Sequence, residues 1–448
     1  MIPHNALVLS IMTVLFLTLG YAGVPVAFAL LAGVMVGTMM VPITFQSMIG
    51  QLFNGVDSES LMAIPFFLLV GELMTSANVV IRIAELSQAL VGHVRGGLAQ
   101  VTTVFSMFFS GMSGSSSADV AVLSRTMSVP MRNEGYSPAF VAALIAAAST
   151  IAALVPPSIM AVVYGAIGNV SIAGLFLGGV LPGVMIGVGL MIYSYFFGPA
   201  GFRRPRASLP QLGTAARRAA LPLMIPVILL GGIMTGWFTP TEAGVIAIVY
   251  ILLVVLPLLN PGHLRHIPRD FIHAGMVFSL PLITIAAASA FGWLLAYLRG
   301  PIVVAGWIGG IAGTDPVMIM FCLVIVFTIV GDFIEPIPAI IIFMPVVNQL
   351  TDAADIRPVH MGVVLIVTLA FGLITPPYGL ALLMASKFVG VRFPQALRAS
   401  LPIYIIFFAT IAFAIFFPNA ILWLPKTVFP ESVGCFKAPG GAGYICPG

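Results

Sequence analysis

Apolar stretches cover most of the chain, at about 6–21, 24–41, 62–80, 97–130, 138–168, 171–197, 221–238, 241–259, 271–298, 316–348, 361–386 and 401–424. About 20 apolar residues span the hydrocarbon core of a bilayer, so the pattern predicts an all-α, polytopic membrane protein. Stretches 97–130 and 316–348 are too long for one crossing and too short for two, and each is read as a re-entrant helical hairpin. Stretches 138–168 and 361–386 are interrupted by Pro156-Pro157 and Pro376-Pro377, and are read as broken helices.

The interruptions repeat. A polar tip, Gly111 to Asp119 with four serines, precedes Ser149-Thr150 and Pro156-Pro157; a second tip, Gly331-Asp332-Phe333-Ile334-Glu335-Pro336, precedes Thr375-Pro376-Pro377. From Gly114 to Pro156 is 42 residues and from Glu335 to Pro376 is 41, so tip and break keep their spacing. Paired interruptions in two halves of a membrane chain point to a solute site at mid-depth, because broken helices leave backbone dipoles free to hold ions and substrates.

Basic residues orient the halves. Of the 18 Lys and Arg, 14 fall on one side if the segments flanked by Arg82, Arg95, Arg125, Arg132, Arg203, Arg204, Arg206, Arg217, Arg218, Arg265, Arg269, Lys387, Arg392 and Arg398 are cytoplasmic. The first hairpin then enters from the cytoplasm and the second, bracketed by Asp315, Asp352 and Asp355, from the opposite face. That is an inverted repeat. The division is 1–197 for the first repeat, 198–220 for a basic cytoplasmic linker carrying an interfacial helix, 221–425 for the second repeat, and 426–448 for a Gly/Pro-rich periplasmic tail without regular structure.

Composition narrows the function. With 60% hydrophobic and 7% charged residues no water-soluble fold is available, and the net charge of +4 comes from dispersed bases with no aromatic-interleaved basic face, which excludes nucleic acid as a partner. Cys322 reads as a buried apolar residue, whereas Cys435 and Cys446, ten residues apart in the tail, could close a disulfide in an oxidising periplasm.

The tips carry the chemistry. Small residues alone also serve close helix packing, which is the reading for Gly174, Gly178, Gly183 and Gly187. Asp332 and Glu335 in mid-membrane are harder to explain that way, since an acid there costs about 2.5–3.5 kcal/mol unless it faces a cavity or a partner. Carbonyls at the end of one tip helix can ligate a hard cation, and N–H groups at the start of the next attract an anion. Glu72 and Asp119 are further embedded acids, either ion ligands or helix caps; Glu242, after Thr239-Pro240, reads as ordinary capping. A rival reading takes Gly111-Met112-Ser113-Gly114 as an intramembrane serine protease motif, but all six histidines lie at or outside segment ends, away from the depth of Ser113. Gly-rich phosphate loops and His-Glu-x-x-His are absent, so the chain does not read as an enzyme.

The chain resembles the large membrane subunit, DctM-type, of TRAP transporters, the tripartite ATP-independent periplasmic systems. The resemblance spans about residues 20–425 and rests on Gly23 to Ala29, Ala63 to Phe67, Gly71 to Met74, Ser113 to Asp119, Val155 to Ile159, Phe238 to Ala243 and Thr375 to Gly379. It implies a multi-pass protein of the bacterial inner membrane working with a small four-helix (DctQ-type) subunit and a periplasmic solute-binding (DctP-type) protein. It implies sodium-driven import of a small organic acid, a C4-dicarboxylate, sialic acid or similar carboxylate, by elevator movement. Carried onto this sequence, Na+ as coupling ion would fall around Ser113, Gly114, Ser115, Ser149, Thr150 and Pro156, and around Gly331, Asp332, Glu335, Thr375 and Pro376. Substrate would meet Ser115, Ser116, Pro157, Pro336 and Pro377. Asp332 and Glu335 depart from the family's usual apolar or small residue and Asp, and the tail after Lys426 has no counterpart. A stand-alone cation-coupled carboxylate carrier with similar hairpins is the alternative that the residues alone leave open.

The charge count makes a topological prediction. Arg206→Cys and Arg265→Cys should react with an impermeant thiol reagent only after permeabilisation, while Asp57→Cys and Asp352→Cys react from outside; outside labelling at 206 would overturn the inverted repeat.

Overall fold

Several helices in this chain start where a short polar side chain precedes a proline or small residue. Ser137 accepts from the Phe140 amide ahead of Pro138 (3.3 Å), and Asp315 from the Val317 amide ahead of Pro316 (3.0 Å). Thr239 and Glu242 form a reciprocal capping box, Thr239 N–H to Glu242 at 2.8 Å and Glu242 N–H to Thr239 at 3.3 Å, as expected of Glu242. The computed structural model describes residues 2–199, 205–434, 436–437 and 444–445.

The first half contains α1 (Ile2–Tyr21), α2 (Val26–Met39), α3 (Phe45–Asn54), α4 (Ala63–Ser76), α5 (Val80–Val91), α6 (Gly97–Ser113), α7 (Ser116–Asn133), α8 (Pro138–Ser149), α9 (Ile159–Gly168) and α10 (Ile172–Phe197). The second contains α11 (Leu209–Met234), α12 (Pro240–Tyr250), α13 (Leu256–Leu259), α14 (Ile267–Tyr297), α15 (Gly300–Ala312), α16 (Pro316–Phe333), α17 (Pro336–Ala353), α18 (Pro358–Gly372), α19 (Leu380–Val389) and α20 (Phe393–Phe416). Short helices α21 (Pro418–Ile421) and α22 (Trp423–Val428) follow. Among the described residues six helices are long and apolar enough to cross a membrane, and α4 with α5, bent by 76°, makes a seventh candidate.

Both helical hairpins and both broken helices are present at the expected places: α6–α7 and α16–α17, then α8/α9 and α18/α19. The halves interlock crosswise. α19 packs on α7 and α8, and α9 packs on α17, so the outgoing piece of each broken helix lies against the other half's hairpin. At the centre every residue of α8 from Phe140 to Ser149 and of α18 from Val359 to Gly372 is buried, which suits helices apolar all round. Gly178 faces Val363 of α18, and a Cβ there would come within 2.8 Å of its side chain, the close packing expected of the small residues of α10. Around this body α2 packs on α14, α4 on α12 and α14, and α11 on α5 and α12.

Three readings change. The linker 198–220, expected to carry an interfacial helix, gives its residues from Leu209 onward to the first turns of α11, which runs unbroken through Pro222 and Pro226. Helices α3, α5 and α15 carry no long apolar window and were not anticipated; α3 and α5 have mixed polarity, which a search for apolar runs passes over. The tail is not without regular structure: α22 is followed by a short 3₁₀ turn, Pro430–Val433, and by strands β1 (Phe436–Lys437) and β2 (Tyr444–Ile445), which pair antiparallel with Phe436 opposite Ile445. The Cys435–Cys446 disulfide lies outside the described residues.

Candidate functional site

Each hairpin turns over very few residues, so its tip is fixed by backbone geometry. In the first, α6 ends at Gly114 in the left-handed region (φ 60°), Ser115 is extended and accepts from the Ala118 amide at 3.5 Å, and α7 begins. A Cβ on Gly114 would run into the Pro157 carbonyl, so only glycine lets the tip sit this close to the first break. The Ile159 amide donates to the Gly114 carbonyl (3.2 Å), joining tip and break by backbone. In the second, Gly331 lies against Gly372, where a Cβ would come within 3.0–3.1 Å of Gly331 backbone atoms.

Carboxylates tie these joints differently in the two halves. Asp119 on α7 is fully buried and accepts from Ser113 and, at 2.9 Å, from Ser110, both on α6, so it staples the arms of the first hairpin. Asp332 on α16 accepts from Thr375, which links the second hairpin to the second break. In both breaks the Pro-Pro peptide bond is cis. The freed backbone finds partners within the protein: Ser158 donates to the Ala153 carbonyl (2.5 Å), the Ala381 amide to Leu373 (2.9 Å), and the Tyr404 hydroxyl to Ile374 (2.8 Å).

The two tips meet. A single cleft of 60 Å³ is lined by Gly114, Ser115, Ser116 and Ser117 of the first tip, by Glu335, Pro336 and Ile337 of the second, and by Ile159, Met160, Leu373, Leu380, Ala381 and Met384 from the ends of the breaks. The Ser116 hydroxyl is buried without a hydrogen-bond partner among the described residues. In the first turn of α7 the Ala118 and Asp119 amides are taken by Ser115, which leaves the Ser116 and Ser117 amides without helical acceptors, while Pro336 and Pro338 remove two of the corresponding donors from α17. Among the described residues no Lys, Arg or His lines the cleft. One wall offers N–H and O–H donors, and the other a carboxylate.

Gly114, Ser115, Ser116, Glu335 and Pro336, singled out from the sequence, therefore converge on one space. Ser113 is turned to Asp119. Ser149 and Thr150 are buried behind the first tip and donate to the Ala146 and Ala147 carbonyls, each at 2.7 Å. Pro156 places its carbonyl beside Gly111, Pro157 backs Gly114, and Pro376 and Pro377 are exposed in the second break, outside the cleft lining. Glu72 is on the scaffold, 3.0 Å from His273 of α14. The apolar lining, Ile159 and Met160 with Leu380, Ala381 and Met384, was not read from the sequence; its signal is position, since each group sits just after a Pro-Pro break.

Residues 12–420 match the family described as the DctM component of tripartite ATP-independent periplasmic (TRAP) transporters. The chain belongs to that family. It is a multi-pass membrane protein of the bacterial inner membrane and one component of a tripartite system. The C4-dicarboxylate TRAP transporter large permease DctM of Pseudomonas aeruginosa is 36% identical over 88% of this chain and 93% of that protein. The sialic acid TRAP transporter large permease SiaM of Vibrio cholerae is 34% identical over 92% and 97%. Among solved structures the YdaH transporter of Alcanivorax borkumensis, described as having an unusual topology, matches with a TM-score of 0.59 at 14% identity over 84% of this chain and 88% of that one, a likeness of fold alone. These relatives are permeases, and the serine of Gly111-Met112-Ser113-Gly114 donates to a carboxylate rather than to an imidazole, so the protease reading has no support.

The two acids are expected to differ in structural weight. Asp119→Ala strands two buried hydroxyls and should lower stability by about 1–3 kcal/mol, whereas Asp332→Ala, half-buried with one donor, should cost less. Thermal unfolding of the purified variants compares them; an equal or reversed order would contradict the staple.

Proposed function

We propose that the cleft between the tips is the substrate site of a sodium-coupled TRAP permease that imports a small organic acid. The observation that carries this reading is that both tips and the ends of both breaks line one cleft. An organic acid's carboxylate fits the donor wall, the first turn of α7 with Ser115 and the unpartnered Ser116 hydroxyl. The opposite wall presents Glu335. Where a bound carboxylate comes within about 4 Å of an ionised Glu335, the like charges repel by roughly 4 kcal/mol at an effective dielectric constant near 20, more than the approximately 0.3–2 kcal/mol that a helix N-terminus returns. On this reading an anion alone is held poorly. A cation bound at the tips reverses the balance, and by linkage the anion then strengthens the cation to the same degree.

The cation sites proposed are Ser113, Gly114, Ser115, Ser149, Thr150 and Pro156 in the first half, and Gly331, Asp332, Glu335, Thr375 and Pro376 in the second, supplied by hydroxyls, carboxylates and the carbonyls of the breaks. Substrate contacts are assigned to Ser115, Ser116 and Pro336; Pro157 backs the first tip, and Pro377, exposed in the second break, lies outside the cleft lining. The cleft is small beside the 300–1,000 Å³ usual for a ligand pocket, so the tips part to admit substrate. The interlocked hairpins and broken helices form the moving body of an elevator, and the rest of the chain the scaffold. The partners are a small four-helix membrane subunit and a periplasmic solute-binding protein, and the acids named for the relatives in Pseudomonas and Vibrio put carboxylates first among substrates.

Uptake into proteoliposomes holding all components tests the coupling. Ser115→Ala, Ser149→Ala and Thr375→Ala should each weaken apparent sodium affinity by roughly ten- to a hundred-fold, from loss of about 1.5–3 kcal/mol of charge-assisted contact, with membrane insertion unchanged. Unaltered sodium dependence in all three, or uptake indifferent to sodium, would replace this reading with proton coupling through Asp119, Asp332 or Glu335.

A further inference from the structure

A second, larger space takes no part in the cleft. It measures 580 Å³ and lies between the scaffold and the second hairpin. α1, α14 and α15 wall it on one side, with Leu17, Leu295 and Val304, and α16 and α17 on the other, with Val330, Phe343 and Val346. Of its seventeen lining residues only Thr13 and Tyr21 carry a polar side-chain group. Water is a poor occupant, since even an apolar cavity of about 150 Å³ stays dry and takes benzene or xenon instead.

The space is open at the side. Val303 and Ile329 on its rim are 49% and 54% exposed, and the rim runs into the outer face of α15, where Ile302, Trp307 and Ile311 are also exposed. In a chain of this many apolar spans such a face meets lipid hydrocarbon. The two halves differ here. In the first half α5 packs along α6 and α11 along α5, whereas in the second α15 leans chiefly on α17, and the space toward α1 and α16 stays unfilled.

We propose that this cavity binds an acyl chain of a membrane phospholipid. A chain from the bilayer enters without leaving water, and it restores to the walls the dispersion contacts that a void forfeits. A partner helix is excluded by size: a helix with its side chains is about 10–12 Å wide and rises 5.4 Å per turn, so 580 Å³ takes only about one turn. A flexible chain also conforms to an irregular space bounded by two separate packing units, which a rigid ligand does not. The site is independent of the coupling ion and the transported acid.

The test uses the full-length chain in lipid nanodiscs containing a phosphatidylcholine with a diazirine in its acyl chain. After illumination, mass spectrometry of the wild type should find adducts on interior lining residues such as Phe16, Ile342 and Val346, in addition to the outer face of α15 and α16. Filling the cavity by Val304→Trp or, from the opposite wall, Leu17→Trp should reduce the interior adducts at least fivefold while those at Ile311 and Phe321 stay constant. Wild-type adducts confined to the outer face would overturn the proposal without reference to any variant, and so would interior adducts that persist in both filled variants.

Discussion

Backbone freed from a helix inside a membrane has no water to turn to, and must find its partners within the protein. The breaks at 154–158 and 373–379 impose that demand twice, and much of the surrounding architecture answers it. Ile159 reaches back to Gly114, Ser158 to Ala153, Ala381 to Leu373, and Tyr404 crosses from α20 to Ile374. Each bond also positions something, because the partner that satisfies a break holds a tip or a neighbouring helix in place. The close approach of Gly114 to Pro157 and of Gly331 to Gly372 follows, and so does the meeting of both tips in one cleft.

The halves are alike in order but not in charge. The first tip hides its acid: Asp119 is consumed by two serines inside the hairpin, leaving the cleft wall rich in donors. The second tip displays its acid, since Glu335 lines the cleft while prolines thin the donors of α17. On the proposed reading, a site built this way is unsuited to an anion alone and suited to an anion accompanied by a cation. Coupling, on that reading, is a property of the empty site's charge rather than of a separate device.

Much of this was legible in the sequence because the decisive residues are conformational. Pro-Pro pairs, a glycine at a helix end and serines before a new helix have local consequences that do not depend on neighbours, so tips and breaks could be placed from Gly114, Pro156, Glu335 and Pro376 alone. What could not be read was set by packing. Met384 and Leu380 look like any apolar helix residues until α19 is laid against the other half, and Asp119 looks as available as Glu335 until Ser110 and Ser113 are brought beside it. Leu209 to Ala220 differs for a related reason: Pro210, Arg217 and Arg218 read as a linker, yet tertiary contacts of α11 with α5 and α12 carry the helix through.

The central claim is that the two tips share one substrate, and site protection tests it directly. Single cysteines at Ser117 and Ile337, on opposite tips, and at Ala166, outside the cleft, can be followed by reaction with a small hydrophilic maleimide in membranes, with sodium and a transported organic acid added separately and together. The account predicts that both tip cysteines are protected only when sodium and acid are present together, while the cysteine at 166 is not. Protection of one tip without the other, or by the acid in the absence of any cation, would contradict it.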